Sequence, residues 1–176
     1  IREDAMKIPG IKNMTASSNI PGDEIFWASG IARFTGTNTN MISGYTVGMD
    51  TYYVPAFGLE VIEGRNFDLT TNRRKSVILN RAMVLALDYK DPGSAIGDKV
   101  RQDGDTLEII GVIENYHQMS LKEQVTPLVY RYTPHFASYL SFKVESGNYQ
   151  QMRSSLERTW NTQFPGNPME YFFLDQ

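Results

Sequence analysis

The 176-residue chain has no cysteine. That excludes disulfides, thiolate metal sites and thiol nucleophiles together. It is compatible with an oxidising compartment without requiring one. Only two histidines occur, His117 and His135, without the His-Glu-x-x-His spacing of a zinc hydrolase. Basic residues are not in excess: 17 Lys and Arg face 20 Asp and Glu, a net charge of −3. The basic stripe of a nucleic-acid binder is therefore missing. The longest clear apolar run, residues 82–87, falls far short of the roughly 20 residues that span a bilayer. No Gly-x-x-x-x-Gly-Lys-Ser/Thr loop, Gly-x-Gly-x-x-Gly fingerprint or Gly-x-Ser-x-Gly elbow occurs. These absences remove the usual phosphate cradle, dinucleotide turn and hydrolase nucleophile.

What is present suits a packed fold. Apolar residues make up 41% and charged residues 21%, which excludes a disordered tail. A chain of this length forms one domain or two small subdomains and buries roughly 70% of its unfolded surface. Both ends are expected to be cut edges of a longer polypeptide. The chain opens Ile1-Arg2-Glu3-Asp4 without Met or a leader, and it stops at Phe172-Phe173-Leu174-Asp175-Gln176 inside an apolar pattern.

Residues 1–8 read as a helix end stopped by Pro9-Gly10, and 11–18 as a strand. Residues 28–34 and 41–49 flank the polar stretch 35–40 as a hairpin. Strand 45–49, a short helix over 51–57 capped by Asp50, and strand 59–62 make a compact β-α-β unit. Residues 76–79 form a buried strand, with Asn80 capping a helix through Leu87. In 107–114, Leu107, Ile109 and Ile113 alternate with Ile110 and Val112, so both faces are apolar and the strand is central. Residues 128–132 give another strand. Leu140, Phe142 and Val144 alternate with polar residues as a half-buried strand. Asn148 then caps a helix with the stripe Tyr149, Met152, Leu156 and Trp160. Pro165 ends that helix, and 169–174 reads as a returning strand, completing a second β-α-β unit.

The chemical candidates are few. His117 and Ser120 lie three residues apart and could pair as base and nucleophile, but no third, orienting group is identifiable. A polar loop after a buried strand is the preferred reading. Arg65 could clamp an anion or pair with an internal carboxylate, and the structural role is preferred. Arg73-Arg74-Lys75 could meet anionic headgroups but reads better as a solvated loop. The Tyr149 stripe is core before it is a partner groove, and the sequon Asn13-Met14-Thr15 is discounted.

From residue 50 to 130 several motifs occur in order: Glu63-Gly64-Arg65-Asn66-Phe67, Ser76-Val77-Ile78-Leu79-Asn80, Ala95-Ile96-Gly97-Asp98-Lys99-Val100, Glu108-Ile109-Ile110-Gly111-Val112-Ile113, Asn115-Tyr116-His117 and Pro127-Leu128-Val129. Together they resemble the MacB-like periplasmic core domain of FtsX-type ABC transporter permeases. The ending, Phe164-Pro165 through Asp175, is similar too. Arg81 departs from the acidic residue expected after Asn80, residues 100–105 have no close match, and 15–44 match poorly.

The resemblance implies an α+β fold, a porter-like α/β layer of two β-α-β units with an inserted β-rich subdomain. The expected division is 1–68 with 134–176 against 69–133. It implies an extracytoplasmic, non-enzymatic domain of an inner-membrane permease, coupling cytoplasmic ATP hydrolysis to export of peptides, macrolides or lipoproteins, or to force transmission. No cofactor is expected in this segment, since ATP would bind a separate nucleotide-binding domain. Expected partners are flanking transmembrane helices, a second permease copy forming a dimer, a cytoplasmic ATPase and a periplasmic partner, with no nucleic acid. The signature residues, read as structural, are Gly64, Arg65, Phe67, Asn80, Gly97, Gly111, Val112, His117 and Pro127. No catalytic or metal residue is expected. The alternative is an extracytoplasmic solute- or lipid-binding module using the aromatic-rich 26–57 region.

Overall fold

The computed structural model describes residues 1–35, 40–68, 70–116, 125–145, 147 and 149–174. Among them no helix is long and apolar enough to cross a membrane. The elements in chain order are α1 (Arg2–Ala5), β1 (Ile11–Ser17), β2 (Ala28–Arg33), β3 (Ile42–Met49), α2 (Tyr53–Phe57), β4 (Val61–Gly64), β5 (Ser76–Asn80), α3 (Arg81–Ala86), α4 (Pro92–Ala95), β6 (Lys99–Gln102), β7 (Asp105–Ile113), β8 (Leu128–Tyr132), a 3₁₀ turn (Pro134–Phe136), β9 (Tyr139–Val144) and α5 (Tyr149–Gln163). Two compact units form: residues 15–141, and residues 1–14 with 142–176.

In the larger unit the strand pairings run β2-β6-β7-β5-β8-β3, and β3 pairs back with β2. Six strands thus close into a ring, which leaves no free edge within it. The β5–β7 and β3–β8 pairs are parallel and the other four are antiparallel. Outside the ring, β4 joins β7, and β1 meets β3 at Ser17 opposite Met49. The expected hairpin is present, with Ala28 opposite Tyr45 and Ile31 opposite Ile42.

Strand alternation divides the apolar residues between two clusters. The first holds Ile31, Val77, Leu79, Leu107, Ile109, Val112 and Val129, and Met83 and Val84 of α3 join it. The second holds Val47, Met49, Ile78, Ile110, Ile113, Leu128 and Tyr130, covered by Tyr53 and Val54 of α2. Each such side chain removed from water contributes about 1.5–3 kcal/mol. The central position of β7 is as expected, since β4, β5 and β6 all pair with it. Its face assignment is not. Ile109 lies opposite Val77 and Gly111 opposite Ile78, so Ile110 is an extra residue in the ladder. The bulge reverses the alternation. Val112 therefore joins Leu107 and Ile109, while Ile113 joins Ile110.

The fully buried side chain of Gln102 sits among the ring strands. Gln102 donates to Ser29 Oγ (2.8 Å) and Thr46 Oγ1 (2.9 Å) and accepts from Arg131 Nη1 (3.1 Å). Arg131 also reaches Asp105 at 3.0 Å. The amide is satisfied on both sides, as a buried polar group must be.

The second cluster also buries three phenols. Tyr53, Tyr116 and Tyr130 bring hydroxyls that meet no partner in good hydrogen-bond geometry. Burial, and after it the neighbouring Tyr116 phenol, push Tyr53 and Tyr130 well above the usual tyrosine value of 10.0. Burial also raises Tyr116. The folded state therefore keeps these protons to higher pH than the unfolded chain. Their contribution is complete below pH 10 or so and is lost as pH rises beyond it. In an alkaline titration the last phenolate absorbance should appear together with loss of the far-ultraviolet dichroism. Complete ionisation of all tyrosines with the dichroism intact would contradict this burial.

In the smaller unit, α1 is shorter than the expected helix, and turns carry the chain to Pro9-Gly10. Arg2 donates to the Met14 carbonyl, and Gln163 of α5 donates to Asp4 at 3.0 Å. α5 forms as expected, and its Asn148 cap lies outside the described residues. The returning strand over 169–174 does not form: 169–174 carry no strand pairing. Their alternation is satisfied differently, by rings laid along α5.

Candidate functional site

Most of the described signature residues gather around the ends of β4, β5, β7 and β8. Asn80 is the centre of one group. Fully buried at the end of β5, it accepts the Met83 N–H at 2.9 Å and so caps α3. The same oxygen accepts the Leu128 N–H at 2.8 Å, at the start of β8. Its amide donates to the Thr126 carbonyl at 2.8 Å. One side chain thus holds a strand end, a helix start and a second strand in register. Pro127 belongs to the same knot, since its carbonyl accepts the Tyr45 N–H at 3.1 Å.

Beside it lies an ion pair that sequence reasoning missed. Arg81 grips Glu114 with two nitrogens, Nε to Oε1 at 2.9 Å and Nη2 to Oε2 at 2.7 Å. The Arg81 hydrogen bonds hold the Glu114 carboxyl below its ordinary range. Asn115 accepts the Ala82 N–H at 2.8 Å, a second side chain at the start of α3. The unexpected cation after Asn80 therefore has its anion 33 residues along the chain.

The second group is a crossing of backbones. Gly64 and Gly111 are register partners of β4 and β7. A Cβ on Gly111 would overlap the Arg65 carbonyl oxygen and lie 3.1 Å from its carbon. A Cβ on Gly64 would overlap the Ile110 carbonyl oxygen and lie 3.0 Å from the Gly111 Cα. The two strands touch because neither residue has a side chain. Arg65 follows, its N–H on the Ile110 carbonyl (2.9 Å) and its guanidinium on Asp68 (3.1 Å) and the Thr71 hydroxyl. The carboxylate that Arg65 meets is a half-exposed neighbour three residues on, not an internal one. Phe67 is buried against Tyr132, with ring centroids 5.9 Å apart. Val112 is in the first core cluster, and the Gly97 N–H donates to the Ile109 carbonyl at 2.8 Å. His117 and Ser120 lie outside the described residues.

Chemically the junction positions backbones. Its polar side chains serve capping and register, and its two cations, Arg81 and Arg65, are each paired with a carboxylate. Among the described residues no three His, Asp or Glu side chains converge as a metal site would require. Two grooves lie in the smaller unit. One of about 260 Å³ is bounded by Ile8, Gly10, Tyr149 and Met152, and another of about 540 Å³ by Asp4, Arg158 and Gln163.

Residues 3–162 match the family model of the MacB-like periplasmic core domain. The chain belongs to this family. The MacB-like core fold recurs in solved structures. The extracellular domain of the noncanonic ABC-type transporter YknZ from Gram-positive bacteria is 19% identical, with a TM-score of 0.62 over 92% of this chain and 82% of that one. The periplasmic region of MacB from Actinobacillus actinomycetemcomitans is 15% identical, with a TM-score of 0.61 over 92% and 72%. No curated protein matches the chain. At these identities the likeness carries the mixed α/β fold.

Proposed function

We propose that this MacB-like domain is the extracytoplasmic part of an ABC transporter permease and couples cytoplasmic ATP hydrolysis to export or to force transmission. The observation that carries the reading is the family match across residues 3–162. The hydrogen-bonded strand-end junction supports it, because a lever needs firm connections more than a pocket. The Gln163–Asp4 bond supports it as well, since it ties α5 to α1. Flanking membrane helices, a second permease copy and an ATPase belong to this proposal, as does the subdomain division of 1–68 with 134–176 against 69–133. Crosslinking the two paired domains in the intact transporter should abolish export. Unchanged export with the pair locked would contradict coupling.

The solute- or lipid-binding alternative draws on Phe26 and Trp27, which are 83% and 74% exposed in the 26–57 region. A peptide or lipid that raises the melting temperature of the chain in proportion to its concentration would favour that alternative.

A further inference from the structure

Beyond α5 the chain turns back on itself. The Phe164 N–H donates to the Trp160 carbonyl at 2.7 Å, and the Asn167 N–H to the Phe164 carbonyl at 3.1 Å. From this turn, side chains mark a path back up the helix. The Trp160 indole donates to the Asn167 carbonyl at 2.8 Å. The Arg153 guanidinium lies over the Tyr171 ring, 4.9 Å from its centroid, and is braced by Glu157 at 2.8 Å. The Tyr149 and Phe173 rings meet edge-on at 6.0 Å. Successive contacts at 160, 153 and 149 against 167, 171 and 173 define a segment antiparallel to the helix.

The attachment is shallow. Residues 168–174 form no strand, and α5 has no fully buried residue. Phe172 and Phe173 remain 62% and 68% exposed. Exposed backbone with few buried apolar contacts marks the low-stability end of a fold.

We infer that residues 167–174 are a releasable strap, docked on α5 through Trp160, Arg153 and Tyr149 and able to leave without unfolding the protein. The inference is independent of the coupling proposal: it concerns two states of this chain alone. Trp160 reports which state is present, because its indole binds the strap directly.

Trp27 is the only other tryptophan and is exposed, so Trp27→Phe isolates the Trp160 emission. In that background Arg153→Gln and Tyr149→Ala should raise acrylamide quenching of Trp160 about twofold, with the unfolding midpoint held within about 2 °C. Amides of 169–174 should exchange within about tenfold of an unstructured peptide, while those of central α5 exchange at least about a hundredfold more slowly. Unchanged quenching in both variants would overturn the strap. So would a midpoint that falls with the quenching change, or amides in 169–174 protected as well as those of α5.

Discussion

Asn80→Ala should lower the stability of the chain by about 3 kcal/mol, a larger effect than any exposed polar substitution. The reasoning starts from the two N–H groups that share its oxygen. Met83 N–H is one of the orphan donors at the start of α3, and loss of such a cap costs about 0.5–2 kcal/mol. Leu128 N–H lies at a buried strand end, and leaving it unpaired costs about 1–3 kcal/mol more. The Thr126 carbonyl loses its donor as well. For a chain of this size the midpoint should fall by roughly 6–12 °C. Asn80→Ser separates the contributions. A serine at this position is a good helix cap but is too short to serve α3, Thr126 and Leu128 together. It should recover about 1 kcal/mol of the loss and no more. Thermal and denaturant unfolding of the three proteins would check the order. Asn80→Ala within about 0.5 kcal/mol of the parent would mean the knot is not holding the junction.

Half of that knot is legible without coordinates. Asn80, one residue ahead of the apolar run 82–87, is a helix-start signal, and the cap forms where the signal stands. Its other partner, Leu128, is 48 residues away, and no local pattern announces it. The same limit explains β7. Apolar residues on both faces mark a central strand, yet the extra residue at Ile110 depends on pairing with β5. Gln102 illustrates a different failure. It stands in the stretch 100–105 that has no close match to the family pattern, and only ring closure brings Ser29, Thr46 and Arg131 around it. For 169–174 the alternation is real, but a period of two also suits an extended segment laid on a helix. Tyr171 and Phe173 find α5 where a sheet was expected. Arg81 stood out as a mismatch, and its meaning required Glu114.

Gly111→Ala should cost at least about 3 kcal/mol, at the upper end of overpacking effects. The expected sign is opposite to the usual one. Alanine in a strand interior ordinarily improves on glycine by reducing backbone entropy lost on folding. Here the new methyl would overlap the carbonyl oxygen of Arg65, and the atoms behind it are backbone, which cannot rotate away. Relief requires β4 to move off β7. That would break the Arg65 N–H bond to Ile110 and pull at Asn66, whose amide donates to the Thr51 carbonyl at 3.0 Å. Gly97→Ala supplies the control. Gly97 has a positive φ of +81, but its Cβ would meet nothing within 4 Å. Its replacement should therefore cost only the left-handed penalty of about 1–2 kcal/mol. If steric contact between β4 and β7 governs the junction, Gly111→Ala is clearly the worse of the two, although its own backbone needs no glycine conformation. Equal losses, or a stable Gly111→Ala protein with the β4 amides still protected from exchange, would show that the strands are not in contact there.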